Sequence, residues 1–247
     1  LPVMIHSEHR HQPLDIGGTR IKSMICEIID SPALPDDLQG NIVIAGYFAH
    51  LVDRLKITTD GAGHKGELLD PLWRTDHQSF RPVDVQTGPD GALYVADWYN
   101  PIIGHYQASL RHPDRDKKHG RIWRITAKGK KTVEQPQYDE LPTRNLLDAL
   151  KTAPLKERER LRMILSNRYR DPEIAGRLEE ELAAWVSTLD PDDPRFEHHL
   201  FEALCLYEWF ETVDVSLLTQ LLGAREPLAR AYATRVVGRW HDRLQEP

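Results

Sequence analysis

The chain has 247 residues, of which 40% are hydrophobic and 28% charged, a composition that can bury a core and excludes a disordered polymer. Its net charge is −6, all of it carried by the second half: residues 1–130 hold 16 basic and 16 acidic side chains, residues 131–247 hold 16 and 22. Neither half offers the basic surface that a phosphate backbone needs, so no nucleic-acid partner is expected. No apolar run approaches the ~20 residues of a membrane-spanning helix.

The chain opens on LPVMIHSEHRHQP, with no initiator Met and no signal-peptide pattern, and stops at RLQEP directly after an apolar-periodic helix. Both ends read as cuts within a longer protein. His6, His9 and His11 lie close together, but in an extended chain only His9 and His11 face one way, short of a ligand set, and no metal is expected. The two cysteines, Cys26 and Cys205, form no CxxC and no CxxCH haem-attachment motif and read as buried free thiols.

Twelve of the fifteen glycines precede residue 131. Turns use glycine and helix interiors reject it, so the first part should be strands and loops and the second helical. Strands are expected at 23–29, 41–47, 51–57, 67–73, 82–87, 92–98 and 120–126, spaced as an antiparallel meander. Gly88-Pro89-Asp90-Gly91 has the proline and glycine of a type I turn, which makes 82–87 and 92–98 a hairpin. Ile42-Val43-Ile44 and Leu93-Tyr94-Val95 are apolar on both faces, so both faces should be covered, as in a propeller or a sandwich.

A linker at 131–142 leads to helices at 143–151, 155–168, 173–189, 194–212, 215–223 and 227–244. Thr143 is a candidate N-cap, and Pro172 stands where a first helical turn tolerates its missing N–H. Short connections predict antiparallel neighbours. Residues 225–237 look like half of a HEAT-type repeat, with small alanines that let helices stack closely.

One connection is out of proportion. Residues 99–119 are a polar excursion between two strands that compact domains would join with ~2–5 residues. Antiparallel pairing about the 88–91 turn carries Arg81 and Asp84 to the end from which this excursion leaves. Arg81, Asp84, Asp97, Trp98, Asn100, His105 and His119 should therefore gather at one end of the sheet. Asp97 and His105 are the catalytic candidates. Arg81, Asp84, Trp98 and Asn100 are the candidates for binding a cofactor or substrate. Each has a plainer role open to it. Asp97 can accept N–H groups of the following turn, Arg81 can pair with a neighbouring carboxylate, and Trp98 and Trp123 can pack between sheets. In the run 112–119 charge signs alternate, as in a solvated, self-paired loop; calcium at Asp114 and Asp116 lacks the further oxygen donors it needs.

The stretches SPALPDDLQGNIVIAGYF (31–48) and FRPVDVQTGPDGALYVADWYNPIIGHYQASLRHPDRDKKHGRIWRITAKG (80–129) resemble the last blades of the propeller in quinoprotein sugar dehydrogenases. More specifically they resemble the large membrane-bound dehydrogenase-type, haem-binding CxxCH-domain proteins of planctomycetes and verrucomicrobia. That resemblance implies about two to three blades of a β-propeller over 1–130 followed by HEAT-like repeats over 143–247. It implies a fragment of an exported oxidoreductase, periplasmic or at the cell surface, acting on a sugar or alcohol. Pyrroloquinoline quinone and haem c would belong to the full-length protein, with the missing blades and a cytochrome c module of the same parent chain as partners. The blade start of the sugar dehydrogenases carries an Arg-x-Arg-Asp-Val pattern whose arginines hold the quinone. Here Arg81 matches the first arginine and Val83 replaces the second, and Tyr47-Phe48-Ala49-His50 lacks the lysine those enzymes can offer. The alternative is a non-catalytic propeller that binds a carbohydrate or a protein, with the helices as scaffold.

Overall fold

The computed structural model describes residues 14–15, 24–103 and 111–244. The chain divides into two compact units, residues 1–135 and 136–247. The first is built of antiparallel β-sheets and the second of six helices among the described residues.

In the first unit a six-stranded sheet runs in the order β1 (Leu14–Asp15), β5 (Gly63–Leu68), β4 (Leu51–Asp60), β3 (Ile42–Gly46), β2 (Cys26–Ile28), with the short β6 (Trp73–Arg74) also paired to β4. All these pairings are antiparallel except β1 with β5. A three-stranded sheet follows in the order β7 (Pro82–Thr87), β8 (Leu93–Asp97), β9 (Arg121–Ile125). Val43, Ala45 and Val52 from the larger sheet meet Phe80, Val85, Leu93 and Val95 from the smaller in one buried cluster. The other face of the larger sheet buries Ile42, Ile44 and Leu55. Strand β3 is thus covered on both sides, as its unbroken apolar sequence requires.

The smaller sheet differs from that expectation. Its inner face is dry, but Ile122 on its outer face is 77% exposed. Tyr94 keeps company there with polar side chains, its hydroxyl donating to Asp90. The expected strand at 67–73 is also redrawn. Strand β4 continues to Asp60, turns at Gly61 (φ +59°) and pairs back along Gly63–Leu68. His64, Lys65 and Glu67 hide this strand in a polar sequence.

The two sheets repeat one unit. Ile42-Val43-Ile44-Ala45-Gly46 corresponds to Leu93-Tyr94-Val95-Ala96-Asp97, and each run is followed by two aromatic residues, Tyr47-Phe48 and Trp98-Tyr99. The registers agree: Ile42 faces Leu55 and Gly46 faces Leu51, as Leu93 faces Ile125 and Asp97 faces Arg121. What differs is the connection, residues 47–50 in the first copy and 98–120 in the second.

The hairpin turn is as the sequence predicts, with Gly91 N–H donating to Gly88 O and Gly88 N–H to Ala92 O. Gly91 takes φ +75°, the left-handed residue that follows a type I turn in a three-residue hairpin loop. A Cβ there would stand 2.6 Å from Ser31 Oγ and 2.9 Å from Ala33 Cβ, because Ser31 donates its hydroxyl to Gly91 O and draws the two sheets together at this point.

The helical unit contains α1 (Thr143–Leu150), α2 (Leu155–Tyr169), α3 (Pro172–Ser187), α4 (Phe196–Trp209), α5 (Val215–Leu222) and α6 (Pro227–Trp240). Each helix packs on the next, and α1 also meets α3, α2 meets α4 and α4 meets α6. Leu146, Leu165, Leu182, Trp185, Leu204, Leu221 and Trp240 form its fully buried centre. Ala229 and Ala233 are buried on α6, where small side chains let helices approach. Asp171, Asp214 and Glu226 cap α3, α5 and α6. Thr143 does not cap α1. It is the first helical residue, and Pro142 precedes it with no side chain to offer. Cys205 is buried and Cys26 half-buried, both as free thiols. Burial pushes the Cys205 thiol up to about 12.

Two expectations follow. Gly91→Val should destabilise the chain by about 2–4 kcal/mol, through the left-handed backbone and the crowding at Ser31, read as a lower denaturant midpoint. Burial, with Arg158, Arg195 and Arg162 close by, holds the His198 ring down to about 4, beside Glu202 Oε1 at 3.7 Å. The unfolded chain binds this proton below the ordinary histidine range and the folded chain does not. Stability should therefore fall as pH drops from 7 to 5, with His199 and His50 contributing in the same sense, and His198→Gln should flatten that slope in denaturation at a series of pH values.

Candidate functional site

The end of the smaller sheet from which residues 98–120 depart is organised around Asp97. Strand β8 delivers this carboxylate to the inner face, where it is almost fully buried. Its Oδ1 accepts the backbone N–H groups of Arg81 (2.8 Å) and Tyr99 (2.9 Å). Its Oδ2 accepts Arg121 Nε–H (2.7 Å) and Trp123 Nε1–H (3.1 Å). Burial pushes the Asp97 carboxyl up, but these four donors outweigh it and hold the group below the usual carboxylate range. With its acceptor sites filled in this way, Asp97 is a structural hub and is poorly placed to take a substrate proton.

Arg81 is also buried, and its side chain pairs with carbonyl oxygens where a carboxylate partner was expected. Nε–H donates to Asn100 O (2.9 Å), Nη1 to Tyr47 O (3.0 Å) and Nη2 to Pro101 O (3.2 Å). Nη1 also lies 3.1 and 3.3 Å from the two nitrogens of His50, which places it over that ring. His50 in turn has Nδ1 3.0 Å from Phe80 O, and burial and the Arg81 cation hold its ring below the ordinary histidine range, so a neutral ring donates to that carbonyl. Arg81 therefore clamps the 47–50 connection of the larger sheet to the 98–101 segment of the smaller one.

Asn100 belongs to the same buried layer. Its amide donates to Asp116 O and its carbonyl accepts Ile102 N–H. Asp84 does not join it. A register shift between Pro82 and Asp84 turns this carboxylate to the outer face opposite Ala96, where it accepts from Val85 N–H and Gln86. Trp98 is 45% exposed at the strand end and does not pack between sheets. Trp123 does, against Trp73 at 5.0 Å. His105, like His6, His9 and His11, lies outside the described residues.

Above this layer stands an accessible group of rings centred on Tyr99, which takes φ +52°. Its ring meets His119 edge-on at 6.0 Å and His77 at 5.7 Å, and the Arg121 guanidinium carbon lies 4.2 Å from its centroid. Asp116 Oδ1 accepts the backbone N–H groups of Lys118 and His119, and its Oδ2 lies 2.7 Å from His119 Nδ1. Hydrogen bonds from the Lys118 N–H, the His119 ring and the His119 N–H together bring Asp116 down to about 2, so it is an anion paired with the His119 ring. Sequence reasoning reached His119 but missed Tyr99 as a centre, His77 and Arg121. Arg121 was within reach, because hairpin pairing sets the first residue of β9 directly opposite Asp97.

Arg81→Met should lower stability by about 3 kcal/mol or more, since several buried carbonyls lose their donor, measured by chemical denaturation. Asp97→Asn should lower it by about 2–4 kcal/mol, because an amide NH2 would face the N–H groups of Arg121 and Trp123.

Residues 11–129 match a family model described as a domain of unknown function, DUF7133, a span that takes in both copies of the β unit. No curated protein matches the chain. No solved structure matches it.

Proposed function

We propose that residues 1–130 are propeller blades of the quinoprotein sugar dehydrogenase type, that residues 143–247 are HEAT-like repeats, and that the ring cluster at Tyr99 is a carbohydrate-binding surface of an exported protein. One observation carries the binding assignment: at the sheet end that bears the long insertion, rings and hydrogen-bonding groups face solvent together. Tyr99 has no hydrogen-bond partner for its hydroxyl among the described residues, and Trp98, His77 and His119 are exposed beside it in the fold. Sugars bind such surfaces by laying C–H faces on rings and hydroxyls on nearby polar atoms. The repeated β unit and the helices that follow support the blade and repeat assignment. The occupancy of Arg81 by backbone carbonyls argues against quinone at this sheet end.

A second reading is favoured by His119. Paired with Asp116 through Nδ1 and exposed to solvent, it has the carboxylate–imidazole arrangement that a general base uses on a sugar or alcohol hydroxyl. In that reading the surface supplies the base of a dehydrogenase centre; pyrroloquinoline quinone, held by other parts of the parent chain against the same substrate, would supply the oxidising power, and a c-type haem module would take the electrons onward.

Calorimetric titration of the 247-residue protein with oligosaccharides tests the first reading: binding is expected, and Tyr99→Ala should weaken it at least about tenfold while the melting profile stays cooperative. Absence of binding across neutral and acidic oligosaccharides sinks it. The second is tested on the full-length protein supplied with pyrroloquinoline quinone: sugar-dependent reduction of an electron-acceptor dye should be lost in His119→Ala while oligosaccharide binding persists, and unchanged turnover in that variant sinks it.

A further inference from the structure

Arg121 carries more of the ring cluster than a strand residue needs to. Its Nε–H is fixed on Asp97 at 2.7 Å, and Asp97 is itself immobilised by three other donors. Its guanidinium carbon lies 4.2 Å from the Tyr99 ring centroid and 4.9 Å from that of Trp123. The side chain nonetheless remains 28% exposed. Neither Nη1 nor Nη2 has a hydrogen-bond partner among the described residues.

A guanidinium is a fork of five N–H donors. Here one prong is anchored, the plane is held against two rings, and the outer pair of nitrogens is left over. The entropy of ordering this long side chain is spent in the folded protein before any ligand arrives, which is the condition under which a polar contact contributes most to affinity. The outer Nη pair fits two oxygens in one plane, the geometry of a carboxylate. Asp97 does not cancel this cation alone, because the one anion also faces the Arg81 guanidinium and so serves two cations. Tyr99 is shared: the same ring contacts Arg121 and meets His119 edge-on. A sugar seated on Tyr99 would therefore have a cationic fork within the reach of one exocyclic group.

We propose that Arg121 makes this surface selective for carboxylate-bearing sugars, residues of the uronic-acid type. The inference rests on the carbohydrate reading above and adds a charge requirement to it. Its second element is His119, which accepts or donates to a hydroxyl on the same sugar and carries no preference for the acid.

The test is calorimetric titration of the 247-residue protein with a tetrasaccharide of galacturonic acid, its neutral galactose counterpart, and a sulfated form of the neutral one. The acidic tetrasaccharide should bind at least about tenfold more tightly than the neutral one, with a preference that shrinks as salt is raised from 50 to 500 mM, on the order of one charge-assisted contact. Arg121→Gln should remove that preference, read as the ratio of acidic to neutral affinity within the variant. Arg121→Lys keeps a cation beside Asp97 and guards against a folding defect; it should lose most of the preference by the same ratio, because an ammonium offers no planar fork. Equal binding of acidic and neutral forms by the unaltered protein overturns the inference and leaves the carbohydrate reading standing. Tighter binding of the sulfated form overturns the carboxylate assignment. Binding of none of the three removes both.

Discussion

A single buried carboxylate determines how the ring-bearing end of the β unit is built. Asp97 takes the N–H of Arg81 from the strand before it, the N–H of Tyr99 from the turn after it, and two side-chain donors from β9. Fully buried ions are costly unless every lone pair is used, and here they are used. The hydrogen bond to Tyr99 holds that residue in a left-handed conformation that a tyrosine avoids on its own. The bond to Arg121 fixes the root of a side chain whose tip is free. The accessible cluster is thus set in place from beneath by a group that solvent does not reach.

Arg81 does related work between the two sheets. Peptide carbonyls at the 47–50 and 98–101 segments have no sheet partners, and a guanidinium with five donors satisfies several of them at once. The fork of Arg81 thus faces backbone, and because residue 83 is a valine the strand offers no second arginine there with which to cradle an anion.

Much of the fold was legible because it follows local patterns. The 82–98 hairpin was announced by its turn residues, and the helices by proline starts and apolar periodicity. Strand β5 was not, since Gly63, His64, Lys65 and Gly66 carry no apolar alternation and its place is set by pairing with β4 on one side and the short β1 on the other. The repeat of the β unit was hidden by the length of the second connection. For the site, pairing geometry located the correct end of the sheet, but it could not tell which side chains were spent. The partners of Arg81 are backbone carbonyls, which leave no trace in residue identity. Asp84 was carried away by a register shift of the kind that sequence spacing does not register. Arg121 reads in sequence as one more strand residue, and only its register opposite Asp97 brings it into the site.

The two copies of the β unit have divided their labour. In the first, the connection at 47–50 is short and its carbonyls are consumed by Arg81. In the second, 98–120 begins and ends on residues paired across β8 and β9, Asp97 with Arg121. The inserted segment is therefore closed at its base like a drawstring. Its interior can lengthen, shorten or change composition while the strands beneath keep their register. Sequences that keep Asp97, Arg121 and Trp123, with Tyr99 and Asn100 at the root of the segment, could vary the residues beyond them, so this position would serve as a graft point where new specificities are installed on an unchanged frame.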